Sequence, residues 1–267
     1  MEQNLNNEWR RVASSIYRKP ADSKIFGEVE IDITDLEEFI TTKRREGIKI
    51  TLTHVILLAV ARALRDEVPE LNTYIRRGKV IQRDTIDAMV SVLMPGSQMS
   101  SVRVRNADKL TLAGAAEAMN EEIKQSRAGI ENSTMRAKGF ISSIPWPLRS
   151  WVFRFIKLFT VDWGFSIPSL GMSANSFGSF VVTNIGSIGL ESGYPALFPT
   201  SNVAFVMVVG GVSKKPWVVD NEIVIRKILT LSSALDHRVV DASHGGKLFR
   251  YIRNVVRNPE QLDIPQE

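Results

Sequence analysis

The sequence predicts an α+β fold, with one large mixed sheet flanked by helices. Three observations carry this reading. Apolar residues alternate or run continuously through VEIDI, IDAMVSVLM and most of the chain after Gly178, which are strand patterns. THVILLAVARALRDE and TLAGAAEAMNEEIKQS instead carry their apolar residues at helical spacing. Strands and helices interleave without a regular βαβ rhythm, which sets the chain apart from doubly wound folds.

Residues 1–24 read as a polar N-terminal segment with the basic stretch WRRVASSIYRK, closed by Pro20. Residues 25–262 read as one domain, and 263–267 as a polar tail. Val29, Ile31 and Ile33 alternate as in a half-exposed strand. Thr34 or Asp35 can cap a following helix through about Arg45, which Gly47 ends. Thr53 to Glu67 is apolar on three faces, as in a helix buried within a layer, and Pro69 stops it. LNTYIRRGKVIQRD predicts a hairpin turning at Arg77-Gly78, IDAMVSVLM a buried strand, and Thr111 to Ser126 an amphipathic helix.

Residues 143–171 form an aromatic-rich insertion. A helix from Pro147 gathers Arg149, Ser150, Arg154 and Lys157 within roughly 140° at ~100° per residue and leaves the rest apolar. Packing against the chain's own core or a neighbouring subunit is the first expectation; membrane contact through 146–159 is the second. After Gly178 the pattern is strand and turn, with turns at Lys215-Pro216 and Asp220-Asn221. A helix from about Ser243 to Arg257 ends at Asn258-Pro259.

Composition removes several function classes. With 44% hydrophobic and 24% charged residues, most of the 267 positions can repay the entropy of ordering. The 34 basic and 29 acidic residues leave a net charge of +5, spread thinly rather than gathered in a stripe, so no nucleic-acid partner is expected. The absence of cysteine excludes a thiol nucleophile, and His54, His237 and His244 are too few for a multi-histidine metal site. No signal core and no run of ~18 apolar residues is present, which predicts a cytoplasmic location.

Chemistry concentrates in SSALDHRVVDASHGG, Ser232 to Gly246. An apolar strand ends at Asp236-His237-Arg238, and Asp241 follows just before a helix. A histidine at a strand end is rigidly aimed yet accessible, which suits a general base; a surface ion-pair cluster is the ordinary alternative. His244 reads as a cap or surface residue, and His54 as a satisfied core histidine.

DHRVVDA, with a strand before it and NPEQL after its helix, resembles the DHRxxDG signature of the dihydrolipoyl acyltransferase catalytic domains of 2-oxoacid dehydrogenase complexes. Their fold and mechanism are shared with chloramphenicol acetyltransferase. VEIDITDLEEF, VPELN, RNADKLTL and FVVTNIGSIG resemble further family segments in the same order, so the resemblance covers roughly residues 10–262. It implies acyl transfer between coenzyme A and a thiol such as dihydrolipoamide, or a small molecule. His237 would be the base that makes the thiolate. Thr183 would be the hydroxyl donor to the oxyanion, a contact worth ~3 kcal/mol of barrier. Asp241 would organise the site by pairing with Arg18, at a cost on removal of ~3–5 kcal/mol if deeply buried. Asn184, Asp236 and Arg238 would be structural support.

The resemblance also implies a homotrimer whose sites lie between subunits, so that His237 and Thr183 meet across an interface. The tail QLDIPQE offers little apolar area for larger assembly. The chain is expected to be a stand-alone form, with no lipoyl group of its own and a separate lipoyl-bearing protein as a candidate partner. One departure is Ala242 where the family has glycine. If that position needs a positive φ, alanine strains the site by ~1 kcal/mol. The alternative function is therefore a catalytically reduced homologue acting as a structural core or partner-binding subunit.

Overall fold

Alternation along KIFGEVEID turns Val29 and Ile31 to the core and Glu28 and Glu30 to solvent, and this segment forms strand β1 (Lys24–Asp32). The computed structural model describes residues 23–94, 98–127, 144–145, 148–167, 175, 177–198 and 201–266. Helix α1 (Thr34–Arg45) follows, with Ile33 rather than Thr34 or Asp35 at the cap position. The acceptor comes from one residue earlier still: Asp32 Oδ1 takes the Thr34 N–H at 3.0 Å and its hydroxyl at 2.7 Å. Gly47, at φ +94°, closes the helix as expected.

Helix α2 (Leu52–Asp66) is buried without interruption from Thr53 to Leu64. That explains its lack of a polar stripe: the sheet lies on one side of it, and α3 (Leu112–Arg127) and α5 (Ala242–Arg257) pack on others. Strands β2 (Thr73–Arg76) and β3 (Lys79–Gln82) form the expected hairpin. Arg77 at φ 51° and Gly78 at φ 72° supply the two left-handed residues of a tight hairpin turn.

The main sheet has six strands in the order β1-β8-β7-β6-β4-β5. The remaining members are β4 (Ala88–Met94), β5 (Gln98–Val104), β6 (Phe180–Asn184), β7 (Phe205–Val219) and β8 (Glu222–Asp236). β6 runs parallel to both β4 and β7 and every other pairing is antiparallel, so the sheet is mixed. Strand β5 is missing from the sequence expectations. Its residues QMSSVRV mix polar and apolar side chains, which an edge strand tolerates and a periodicity search passes over.

One predicted turn is absent. β7 runs through Lys215-Pro216, with Pro216 opposite Ile225, and the chain reverses only at Asp220-Asn221, at φ 51° and 66°. Past Val209, β7 has a ladder on one edge only among the described residues, the setting in which a strand accepts proline. The ladder to β8 is interrupted between Val209 and Val212. There Gly210 lies so close to the loop after β6 that a Cβ would stand 1.8 Å from the Glu191 carbonyl oxygen. Gly186 meets the Gly210 oxygen at 2.4 Å in the same sense, so the NIGSIG turn and the bulge fit backbone to backbone.

Beyond the bulge, β7 and β8 continue as a two-stranded arm. Val218 faces Ile223 and Pro216 faces Ile225 on one side of it; Ile223 is 78% exposed and Ile225 76%. Helix α4 (Leu148–Lys157) continues into a π-helical turn, Leu158–Asp162, within the expected aromatic segment. Among the described residues no helix is long and apolar enough to cross a membrane.

Candidate active site

β8 delivers Asp236 and His237 to one end of the sheet. Residues Ile228 to Asp236 are all buried, and β1 pairs with this whole stretch, so the strand end is rigid. Asp236 anchors the turn that follows. Its Oδ1 accepts the Ser23 hydroxyl at 2.9 Å, the Arg238 N–H at 3.0 Å and Arg238 Nε at 3.0 Å, while Oδ2 accepts Arg238 Nη2 at 2.6 Å. This carboxylate is the first cause holding the Arg238 guanidinium above its ordinary pKa, and Asp162 adds to the effect from the aromatic segment. The expected support from Asp236 and Arg238 therefore takes the form of a two-pronged ion pair that closes the turn.

His237 is fixed from three directions. Its N–H donates to the Ser23 carbonyl at 2.8 Å, and its Nδ1 lies 2.9 Å from the Val240 carbonyl oxygen. A carbonyl only accepts, so Nδ1 carries the proton and the lone pair of the neutral ring is on Nε2. Asp241 Oδ1 stands 3.4 Å from the same Nδ1, an acceptor on the protonated side of the ring. The half-exposed ring at the end of a buried strand is held in one tautomer, as a general base has to be.

Asp241 is the residue immediately before α5, and its N–H donates to His244 Nδ1 at 3.0 Å. His244 thus closes a helix cap, one of the two readings the sequence allows. The Asp241 side chain is 43% exposed, so the deep burial on which the expected cost of ~3–5 kcal/mol depended is not what the described residues show. Arg18, its expected partner, lies outside the described residues. Ala242 is the first residue of α5 and is absent from the positive-φ positions, so replacing the family's glycine strains nothing there. The reduced-homologue reading loses that support.

Thr183 and Asn184 are held elsewhere. Thr183 lies in register with Ser91 on β4 and Val208 on β7; Val208 faces Ser232 and Ser232 faces Glu28. Residues paired this way share a sheet face, and Phe180 and Val182 occupy the other, with the core. Thr183 therefore belongs to the face turned away from the helices. Asn184 Nδ2 donates to Thr53 Oγ1 at 2.9 Å, tying the strand end to the start of α2, and its Oδ1 accepts the Ser187 N–H at 3.1 Å. Two strands sideways and about five residues along separate Thr183 from His237, roughly 15–20 Å at strand spacings. One chain brings His237, Asp236, Arg238 and Asp241 together and keeps Thr183 and Asn184 apart from them.

His54 confirms its core assignment only in part. It is buried, and its Nδ1 accepts the Thr51 N–H at 2.9 Å, but its Nε2 has no partner among the described residues. Burial first, and Arg44 second, lower its pKa to about 4, so it is neutral where His237 would work. Sequence reading missed Ser23 and the Val240 carbonyl, which orient Asp236 and His237, and Thr53, which holds Asn184. The Val240 contact uses a backbone carbonyl, which no residue type advertises.

The same fold occurs among known proteins. The lipoamide acyltransferase component of the branched-chain alpha-keto acid dehydrogenase complex from Bacillus subtilis is 24% identical over 240 residues, 87% of this chain and 46% of that protein. Among solved structures, dihydrolipoamide acetyltransferase from Azotobacter vinelandii superposes with a TM-score of 0.65 at 18% identity, over 91% of this chain and 85% of that one. Roles in its catalytic mechanism have been investigated for a serine, a histidine and an asparagine. A chloramphenicol acetyltransferase superposes at 0.52 with 13% identity, over 95% and 97% of the two chains. The chain spans less than half the length of the relatives it matches in sequence. The family model for 2-oxoacid dehydrogenases acyltransferase (catalytic domain) matches residues 10–141 and 169–264, with the aromatic stretch between the two parts. With that match over most of the sequence and the chloramphenicol acetyltransferase-like fold beneath it, the chain belongs to the 2-oxoacid dehydrogenases acyltransferase (catalytic domain) family.

Proposed function

We propose that this protein is a CoA-dependent acyltransferase that moves an acyl group between coenzyme A and a dihydrolipoamide-like thiol, with His237 as general base. The observation that carries this reading is the Nδ1 contact to the Val240 carbonyl, which leaves Nε2 as the basic nitrogen at an accessible strand end. In the forward step, Nε2 takes the proton from the acceptor thiol as its sulfur bonds to the thioester carbonyl carbon. The resulting oxyanion takes a hydrogen bond from Thr183. Collapse breaks the bond to the CoA sulfur, and the imidazolium returns the proton to that leaving thiolate. Asp241 steadies the imidazolium in between.

The separation of His237 and Thr183 within one chain supports a shared site in a homotrimer, with the base of one subunit facing the hydroxyl-bearing strand of the next. The apolar face of the β7–β8 arm supports the same assembly, since a contiguous exposed patch of this kind marks a contact surface. A lipoyl-bearing protein would bring the thiol as substrate.

Complementation tests the proposal. His237→Ala and Thr183→Ala proteins should each lose ~10²-fold or more in kcat for acyl exchange between CoA and dihydrolipoamide, with unchanged melting temperature. Unfolded together and refolded as mixed trimers, they should regain about a quarter of wild-type activity, because that fraction of interfaces joins an intact histidine to an intact threonine. Full activity in His237→Ala removes the base, and no recovery in the mixture removes the shared site.

A further inference from the structure

The stretch between the two parts of the family match contains α4 and the turn after it. Leu148, Trp151, Phe155 and Leu158 recur at spacings of three and four, so they stand in one row along the helix. All four are exposed, Trp151 to 69% and Phe155 to 65%, although aromatic side chains gain most from burial. Another side of the same segment is already used: Ile156, Thr160 and Val161 are buried against the protein. The aromatic row is thus a second apolar face, presented outward by a helix that is itself held in place.

Its border is cationic. Arg154 falls about 60° around the helix from Trp151, and it is exposed. At the far end the β2–β3 turn meets the segment: the Arg77 N–H donates to the Asp162 carbonyl at 2.8 Å, and its guanidinium lies 5.9 Å from the Phe165 ring centre. Arg76 beside it is exposed as well. Asp162, the acid in this stretch, faces Lys157 at 3.3 Å.

We infer that α4 docks this protein on an anionic membrane surface, with the aromatic row in the outer acyl layer and the arginines among the headgroups. Charge decides between occupants. A bilayer with negative headgroups complements an aromatic row edged by arginines, and tryptophan is a side chain of choice at such a boundary. A second copy docking face to face would oppose the same arginines to each other. The helix is too short to span, so it lies in the surface.

The test needs no acyl transfer, so it succeeds or fails independently of the proposed activity. The full chain is floated with vesicles of phosphatidylglycerol and phosphatidylcholine in equal parts, and with phosphatidylcholine alone, at 0.15 M salt as a rough physiological strength. Flotation with the anionic vesicles should exceed that with neutral ones about tenfold, and Trp151→Ser/Phe155→Ser should lower it about tenfold with mass and melting temperature unchanged. Arg154→Glu should fall between. In the wild type, tryptophan emission should shift to the blue on adding anionic vesicles and be quenched by brominated acyl chains. Absence of flotation, an unshifted emission, or equal binding by the double variant overturns the inference. A double variant that changes the oligomeric mass also overturns it and assigns the row to a second copy or other protein surface.

Discussion

At one end of the β7–β8 hairpin, Asp236 accepts hydrogen bonds from Ser23 and Arg238, His237 is held by two carbonyls, and β1 seals the strand from Asp32 to Lys24. At the other end, Val218, Ile223 and Ile225 stand exposed on a two-stranded arm, with no further strand paired beside it among the described residues. The strands are the same; their completion differs. The His237 turn is finished by its own chain, whereas the arm carries apolar area that none of the described residues buries. Under the proposed mechanism, such a protein positions its proton acceptor before assembly and gains the rest of the site through assembly.

The strongest way to break that comparison is to charge the arm. Ile223→Lys/Ile225→Lys places two ammonium groups on the apolar face without touching the core or the His237 turn. Light scattering should then report one chain instead of three, with acyl exchange down ~10²-fold or more because each base lacks its partner hydroxyl. The far-ultraviolet circular dichroism should be unchanged. A variant that stays trimeric and active shows that the two ends are not coupled through assembly.

Much of this molecule was legible because its elements obey simple periods. THVILLAVARALRDE reads as a buried helix and is one, and Arg77-Gly78 and Asp220-Asn221 turn where their types predict. Strand β5 was invisible because edge strands tolerate mixed polarity, and Lys215-Pro216 misled because proline loses nothing on the unpaired side of β7. At the site, DHRVVDA announces its residue types but not their burial. Asp236 is the buried, multiply bonded carboxylate and Asp241 the exposed one, the reverse of the weight the motif suggests. Burial of a turn residue depends on what folds over it, here Ser23 and the start of β1, and that information lies more than two hundred positions away in the sequence.

The hydroxyl half of the site offers a sharper, pH-dependent comparison, since Asn184 is tied to Thr53 beside His54. Folding lowers the His54 pKa from 6.5 to about 4, so between those values the unfolded chain binds a proton that the folded chain refuses. Stability is therefore present above pH 6.5 and lost as pH falls toward 4. Between pH 7.5 and 5 the loss from this group should be about 2 kcal/mol. Urea titrations of wild type and His54→Gln at both values should show the wild type losing that much more than the variant. Equal losses would mean that His54 takes up its proton in the folded state as readily as in the unfolded one.

The smallest effect expected is on Asp241→Asn. Asparagine caps a helix about as well as aspartate, the side chain is already in contact with water, and the His244 contact uses the backbone N–H of residue 241, which the substitution keeps. Stability at pH 7.5 should fall by less than the several kcal/mol that removal of a deeply buried paired charge costs. Activity separates from stability here, because the carboxylate lies 3.4 Å from His237 Nδ1 and loses its charge in the variant. The ring then loses the charged acceptor beside its Nδ1, so kcat/KM should fall while the melting temperature holds. A variant that melts several degrees lower would return Asp241 to the structural role that its motif first implied, and would point to a charged partner in the N-terminal segment.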